Sequence, residues 1–140
     1  MKIYIASSWK NSVECIAIGQ ALRNVGHEVD CFCDQSIGRY VFSFEELGDV
    51  TKINCIQALE SGKVQRAFAE DKKWIDWSDA VLVILPCGKS AHLEAGYAKG
   101  AGKKLYIYGR FPNGELDVMY GFADKLYMYL TDLFNDIKGM

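Results

Sequence analysis

The sequence predicts a doubly wound α/β fold, in which helices cover both faces of a mainly parallel, five-stranded sheet. Short apolar runs alternate with stretches of helical periodicity, as in repeated strand–helix units. Three of these runs lack polar alternation, which is typical of strands buried on both faces: Lys2–Ala6, Ala80–Leu85 and Lys104–Tyr108. The 140 residues contain no repeat or linker, so we expect one domain over residues 1–140.

Helical signals separate the strands. Asn11 begins the first helix, with Glu14 three residues later as a capping box, and Gly26 ends it. Residues 33–62 have a mixed apolar period, and no element is predicted there. The other predicted elements, in chain order, are the strand His27–Phe32, the helix Val64–Ser78, a helix from Ser90 to Ala101, the edge strand Lys125–Tyr129 and the helix Thr131–Lys138.

Two loops follow predicted strands at the edge where such a fold binds ligands. Sheets of the Rossmann and flavodoxin type bind at the carboxyl ends of the strands, where the strand order reverses. We therefore expect a ligand to contact the loops Ser7–Asn11 and Pro86–Ser90.

Composition limits the partners. A net charge of −2 argues against a nucleic-acid polymer or an anionic membrane as partner. The longest apolar run, Ala80–Cys87, has eight residues, against roughly 20 for a membrane span. Five cysteines without a C-x-x-C motif are expected to be free thiols in the cytoplasm, and Met1–Ala6 is expected to be a strand rather than a secretion signal.

Two carboxylates fall on apolar helix faces. Asp71 lies seven residues after Val64 and therefore on the apolar face of its helix. Either its carboxylate is buried with a partner, or it lies at the edge of that face and reaches water or a partner such as Lys73 or Arg66. Glu94 shares a face with a stripe of small residues: Ala91, Ala95, Ala98 and Ala101. It either complements the helix dipole or faces a ligand, for which the small side chains leave room.

Paired carboxylates at one sheet edge suit glycosidic-bond chemistry, with one as nucleophile and the other at the leaving group.

The sequence lacks the complete motifs of several other kinds of site. The Gly88-Lys89-Ser90 run lacks the upstream glycine of a phosphate loop, no dinucleotide fingerprint follows the first strand, and no His or Cys spacing suits a metal. A Cys87 nucleophile is disfavoured, since His92 is not expected to reach it.

Four segments resemble the nucleoside 2-deoxyribosyltransferase family, which includes related deoxynucleoside monophosphate N-glycosidases. In order and spacing they are Ile3–Trp9 (IYIASSW), Asp71–Asp79 (DKKWIDWSD), Leu85–Ala98 (LPCGKSAHLEAGYA) and Glu115–Tyr120 (ELDVMY).

The resemblance implies roles for five residues. Glu94 matches the nucleophile that forms a covalent deoxyribosyl–enzyme, Asp71 the carboxyl group that assists the departing base, and Tyr4 the tyrosine that orients the nucleophile. Trp9 matches an aromatic that packs on the base. Asp117 matches a residue that reaches a neighbouring subunit's site, which implies a homodimer or higher homo-oligomer with shared active sites.

Further residues of these segments are predicted to contact the substrate: Ser7, Ser8, Gly88, Ser90 and Met119. Gly88 departs from the family, which has Asp or Ser six residues before the nucleophile. If Asp117 points at the 5′ end of the sugar, it would repel a 5′-phosphate, which favours a nucleoside over a nucleotide, although Lys89 or Ser90 could offset that repulsion.

The predicted function is therefore cleavage of the N-glycosidic bond of a (2′-deoxy)nucleoside, with transfer of the sugar to another base or to water. The partners expected are a small nucleoside or nucleotide and a free base, and the mechanism needs no metal or organic cofactor. The alternatives are a 5′-monophosphate N-glycosidase, a non-catalytic nucleotide-binding or sensor module, and a structural subunit.

Overall fold

A parallel sheet organises the computed structural model, which describes residues 1–140 and confirms the predicted fold class. Its strands are β1 (Lys2–Ala6), β2 (Glu28–Cys31), β3 (Ala80–Ile84), β4 (Lys104–Tyr108) and β5 (Lys125–Tyr127). They lie in the order β2–β1–β3–β4–β5, and every neighbouring pair is parallel. The order therefore reverses between β1 and β3, which is the expected position of a ligand site.

Helices connect the strands, as the alternation predicted. They are α1 (Ser12–Asn24), α2 (Cys55–Leu59), α3 (Gly62–Trp77), α4 (Lys89–Gly100) and α5 (Leu130–Lys138). Short 3-10 turns lie at Trp9–Asn11, Gln35–Ile37, Phe44–Leu47, Val50–Lys52 and Val118–Phe122. None of the helices combines the length and the apolarity needed to span a bilayer.

The sheet has two buried faces with different helices. On β1, Ile3 and Ile5 point to the face covered by α1 and α5. Tyr4 and Ala6 point to the opposite face, where the helices α3 and α4 pack. Because successive side chains of a strand alternate between faces, Tyr4 is directed toward the two helices that carry Asp71 and Glu94.

Some local predictions differ from the structure. Gly88 rather than Ser90 is the N-cap of α4, and its backbone is extended. Asn11 occupies the N-cap position of α1 but makes no capping hydrogen bond with its side chain. Phe68 is 66% exposed, and Ala101 is exposed beyond the end of α4, because helical spacing specifies a face but not what packs against it.

Candidate active site

The phenol of Tyr4 meets the carboxylate of Glu94 at the point where the strand order reverses. Tyr4 is buried in the middle of β1, and its hydroxyl donates a hydrogen bond to Oε2 of Glu94. The helix α4 lies close to the sheet because its inward side chains, Ala91, Ala95 and Ala98, are small and buried. The small-residue stripe thus brings Glu94 to β1, where it is half-buried.

Burial makes Glu94 a weaker acid than an ordinary glutamate. Desolvation raises the pKa of Glu94 to about 7, the hydrogen bond from Tyr4 opposes this rise, and the negative charge of Asp71 adds to it. Desolvation likewise raises the pKa of Tyr4 far above its usual value, with a further contribution from Glu94. The phenol therefore stays protonated and remains a donor to the carboxylate.

Asp71 lies on α3, on the same side of the sheet. Its Oδ1 atom is 3.0 Å from Nη2 of Arg39, and 47% of its side chain is exposed. Desolvation raises the pKa of Asp71, while the positive charge of Arg39 opposes the rise. The partners suggested by the sequence were wrong, since Lys73 lies over the ring of Trp74 and Arg66 over that of Tyr40.

Arg39 and Asp30 join Tyr4, Asp71 and Glu94 in what we call the active-site cluster, and neither was predicted from the sequence. Arg39 donates two hydrogen bonds to Asp30, from Nε to Oδ1 at 3.0 Å and from Nη2 to Oδ2 at 3.3 Å. Asp30 is in register with Tyr4 on the neighbouring strand. A charged residue between Val29 and Cys31 in a strand was an available signal for Asp30. Arg39 lies in the aperiodic segment, where nothing distinguished it.

The loop after β1 is tied to the loop after β3. Ser7 Oγ donates to the carbonyl of Ile84 at 2.6 Å, and Asn11 Nδ2 donates to Ser7 Oγ and to the carbonyl of Pro86. Ser8 Oγ accepts from the backbone N–H of Lys10 at 3.2 Å. The bonds from Ser7 to Ile84 and from Asn11 to Pro86 fix the predicted ligand loops to each other at the carboxyl edge of the sheet.

Three residues predicted to contact the substrate, Trp9, Gly88 and Ser90, are exposed to solvent. Trp9 is 51% exposed and packs edge-to-face on Phe32, with the ring centroids 5.3 Å apart. Gly88 precedes the first turn of α4, and Ser90 is exposed within that turn. All three residues follow β1 or β3, as the sequence predicted.

Asp117 and Met119 lie farther along the chain, after β4. Asp117 is exposed and caps a 3-10 turn, since its Oδ1 accepts from the N–H of Met119 at 2.7 Å. Met119 is 58% exposed. Neither side chain is hydrogen-bonded or ion-paired to Tyr4, Asp71 or Glu94, whereas the hydroxyl of Tyr120, in the same turn, lies 3.0 Å from Nε2 of His92 on α4.

The thiol of Cys87 lies beside His92 after all, since Sγ and Nδ1 are 3.7 Å apart. The expectation that His92 would not reach it was wrong, because His92 lies in the first turn of α4 and its ring reaches back to the loop that precedes the helix. However, Nδ1 lies 2.8 Å from the carbonyl of Gly88, and burial raises the pKa of Cys87 to about 11. The thiol is therefore protonated at neutral pH. No group of three or more His, Cys, Asp or Glu side chains is placed to hold a metal ion.

The geometry provides a hydrogen-bonded carboxylate that can act as a nucleophile, and a second carboxylate that can exchange a proton with a leaving group. The two lie on the same face of the sheet, and the charge of one raises the pKa of the other.

Solved structures with this fold include nucleoside-processing enzymes. A 2-deoxyribosyltransferase from the psychrotolerant bacterium Bacillus psychrosaccharolyticus matches with a TM-score of 0.70 and 20% identity, over 96% of this chain and 91% of that one. The chain shares its fold with a 2-deoxyribosyltransferase. The resemblance found in the sequence is thus confirmed over nearly the whole chain.

Two other solved structures are similar over most of their length. A CMP N-glycosidase from Clostridium botulinum has a TM-score of 0.60 and 15% identity, over 98% of this chain and 97% of that one. A conserved protein from Enterococcus faecalis has a TM-score of 0.52 and 13% identity, over 96% and 86% of the two chains. No family model and no curated protein matches the sequence.

Proposed function

We propose that this protein cleaves the N-glycosidic bond of (2′-deoxy)nucleosides through a covalent glutamyl–deoxyribosyl intermediate, and transfers the sugar to another base or to water. The observation that carries the proposal is the hydrogen bond from buried Tyr4 to Glu94, with the Asp71 carboxylate on the same face of the sheet. The shared fold with a 2-deoxyribosyltransferase supports it.

In the first step, an ionised carboxylate oxygen of Glu94 attacks C1′ of the sugar. The bond between C1′ and the base nitrogen breaks, and its electron pair leaves with the base. Asp71 assists this departure. When its carboxyl group is protonated, Asp71 gives a proton to the base, and when the group is ionised, Asp71 accepts a hydrogen bond from the base. The raised pKa of Asp71, due to desolvation, supports a role in proton exchange.

In the second step, a nitrogen of the acceptor base, or the oxygen of water, attacks C1′ on the face that the first base left. The ester bond between C1′ and Glu94 breaks, and the carboxylate is regenerated. The proton released by the acceptor returns to Asp71 or to solvent. Two displacements at C1′ retain its configuration. Tyr4 holds the Glu94 oxygen in line in both steps.

The remaining proposed contacts surround this pair. Trp9 offers an exposed aromatic face to the base. Ser7 and Ser8 lie in the same loop, directly after β1. Gly88 and Ser90 border the site at the start of α4. Asp117 and Met119 are exposed and form no hydrogen bond with Tyr4, Asp71 or Glu94, which fits a site completed by a second copy.

A 5′-monophosphate is a second candidate substrate. Gly88, the N-cap of α4, has no side chain that could accept hydrogen bonds from the N–H groups of the first turn, so these groups are available to a phosphate. Lys89 and Ser90 lie in the same turn. One structural neighbour is a CMP N-glycosidase. The carboxylate of Asp117 disfavours a phosphate if it reaches the 5′ end of the sugar, so we favour a nucleoside.

A base-exchange assay tests the proposal. The protein is incubated with deoxyinosine and free adenine, and chromatography follows deoxyadenosine and free hypoxanthine. New deoxyadenosine indicates transfer, and hypoxanthine alone indicates hydrolysis. The same assay with deoxyinosine 5′-monophosphate separates the two substrate classes. Binding of nucleosides and nucleotides without release of base over hours, or undiminished product from Glu94→Ala, would contradict the proposal.

A further inference from the structure

One guanidinium group joins the carboxylates of a strand and a helix. Nε and Nη2 of Arg39 contact the two oxygens of Asp30 at 3.0 and 3.3 Å, and Nη2 also lies 3.0 Å from Oδ1 of Asp71. The side chain of Arg39 is 2% exposed and that of Asp30 is 0% exposed. A two-point contact with a buried carboxylate fixes the plane and direction of the guanidinium.

We propose that Arg39 is a positioning residue for Asp71: Asp30 locks the guanidinium, and the guanidinium holds Oδ1 of Asp71 so that Oδ2 is presented to the departing base. This inference rests on the proposed function and adds to it the residues that aim its leaving-group carboxylate.

The difference in exposure between the two carboxylates supports this direction of action. The side chain of Asp30 is fully buried, whereas that of Asp71 is 47% exposed and has Arg39 as its one ion-pair partner. Without the guanidinium, a half-exposed aspartate on a helix surface is free to change rotamer. The buried Arg39–Asp30 pair therefore acts as the fixed end of the arrangement, and Asp71 is the end that it holds.

Stability alone does not account for the Arg39–Asp30 pair. A buried ion pair loses much of its Coulombic gain to desolvation, and apolar replacements of such pairs are often neutral or stabilising. A separate pair already ties this end of β2 to its surroundings. Arg23 contacts Asp34 at 2.9 Å and the carbonyl of Val29 at 2.8 Å, and it contacts no carboxylate of the active-site cluster.

The test uses a paired variant, because Arg39→Gln alone would leave Asp30 buried without a counter-charge and could unfold the protein. In Asp30→Asn/Arg39→Gln both charges are removed and hydrogen-bonding side chains remain. Arg39→Lys is a second variant, which keeps the charge but loses the two-point contact. Arg23→Gln is the matched control, since it breaks an Arg–Asp pair at the same strand end without touching Asp71. Thermal unfolding of each variant is recorded alongside.

Each variant is assayed on nucleosides whose bases depart with different ease. The pairs are deoxyguanosine with 7-methyldeoxyguanosine, and deoxyuridine with 5-fluorodeoxyuridine, so that both purine and pyrimidine preferences are covered. For the unmodified nucleosides we expect kcat to fall about 100-fold in Asp30→Asn/Arg39→Gln and in Arg39→Lys, with little change in KM. The modified bases need less assistance to leave, so their kcat should fall far less.

Adding Asp71→Asn separates action through Asp71 from a general structural effect. If Arg39 acts through Asp71, the triple variant Asp30→Asn/Arg39→Gln/Asp71→Asn should be no slower than Asp71→Asn. Full additivity, equal losses on both members of a nucleoside pair, or losses no larger than in Arg23→Gln would overturn the inference and leave the proposed function intact. A wild-type protein that releases no base from these four nucleosides, or from deoxyinosine with adenine as acceptor, would instead overturn the proposed function, and with it this inference.

Discussion

The hydroxyl of Tyr4 donates a hydrogen bond to Glu94 across 90 positions of sequence. The pairing of β1 with β3 and the placement of α4 directly after β3 bring the two residues together. Because the donor is on a central strand and the acceptor is on a helix packed against it, their geometry is set by the core rather than by a loop. That makes the pair suitable for holding a nucleophile in a fixed direction.

Replacing Tyr4 with Phe should weaken the reaction mainly at low and neutral pH. The hydrogen bond from Tyr4 lowers the pKa of Glu94, so its loss should raise that pKa further and reduce the ionised fraction. We expect kcat/KM at pH 7 to fall about tenfold, as for the loss of a hydrogen bond to a charged group, and the acidic limb to move to higher pH.

Tyr127→Phe is the control for that variant. Tyr127 is also buried, and its hydroxyl donates to Asp136 at 2.8 Å on the opposite face of the sheet. It should leave the pH profile unchanged. An unshifted acidic limb in Tyr4→Phe would show that the phenol does not act on Glu94.

The pH profile of the wild-type protein should reflect the ionisation of Glu94. Burial raises its pKa to about 7, with Asp71 and Asp30 adding to the rise and Tyr4 and Arg39 opposing it. Only the ionised form is a nucleophile, so kcat/KM should increase with pH through a midpoint near 7. A limb centred near 4.5, the ordinary glutamate value, would argue against a buried nucleophile.

The same shift predicts that the ionised Glu94 carboxylate destabilises the folded protein. With the pKa of Glu94 raised from 4.5 to about 7, the folded state binds more protons than the unfolded state between these values. The free energy of unfolding contributed by this group therefore falls as pH rises through that range. Glu94→Gln should be more stable than wild type by about 1–3 kcal/mol at pH 8, and the gain should vanish toward pH 4.

Denaturant unfolding at a series of pH values measures this difference. Asp136→Asn is the matched variant of a half-exposed carboxylate whose pKa is lowered by hydrogen bonds, first from Lys125 and then from Tyr127. Its effect should have the opposite sign, with stability lost above the pH at which Asp136 ionises. Equal stability of Glu94→Gln and wild type at every pH would contradict the burial of a charged Glu94.

Cys87 should be dispensable for the reaction. Its pKa is raised to about 11 by burial and by the charge of Glu94, and the ring nitrogen nearest to it lies 2.8 Å from the carbonyl of Gly88. The thiol is therefore neither ionised nor paired with a free base. Cys87→Ala should keep the wild-type rate of base release, and iodoacetamide at pH 7 should not inactivate the protein. Loss of activity in both experiments would favour a thiol nucleophile.

Asp117 should act on the site of a neighbouring copy. Solution scattering is expected to give the mass of a dimer or a higher oligomer. Mixing Glu94→Gln with Asp117→Ala, each nearly inactive alone, should restore activity, because one site of a mixed pair then has both wild-type residues. If the mixture is no more active than its components, Asp117 works within its own chain or not at all.

Much of the architecture was readable from the sequence because buried parallel strands and amphipathic helices have distinct apolar periods. The strand Lys2–Ala6 was predicted to the residue, and the small stripe of α4 correctly placed Glu94 toward the sheet. The limits of the strand Lys125–Tyr127 were less accurate, since edge strands have weaker burial patterns.

Only part of the candidate site could be predicted from the sequence, and the physical reason is different. Tyr4, Asp71 and Glu94 occupy regular elements, in which spacing specifies direction. Arg39 lies in an irregular segment, and its role depends on contacts with a strand and a helix that are distant in sequence. No local pattern encodes such contacts, so only the assembled structure places Arg39 beside the two aspartates.

The two faces of the sheet can be engineered independently of each other. Every residue of the active-site cluster projects from the side covered by α3 and α4, or reaches it from the segment after β2. The layer formed by Ile3, Ile5, α1 and α5 lies behind the strands and contains none of these groups. Repacking that rear layer is therefore a way to increase thermal stability while Glu94 and the charged residues beside it remain undisturbed.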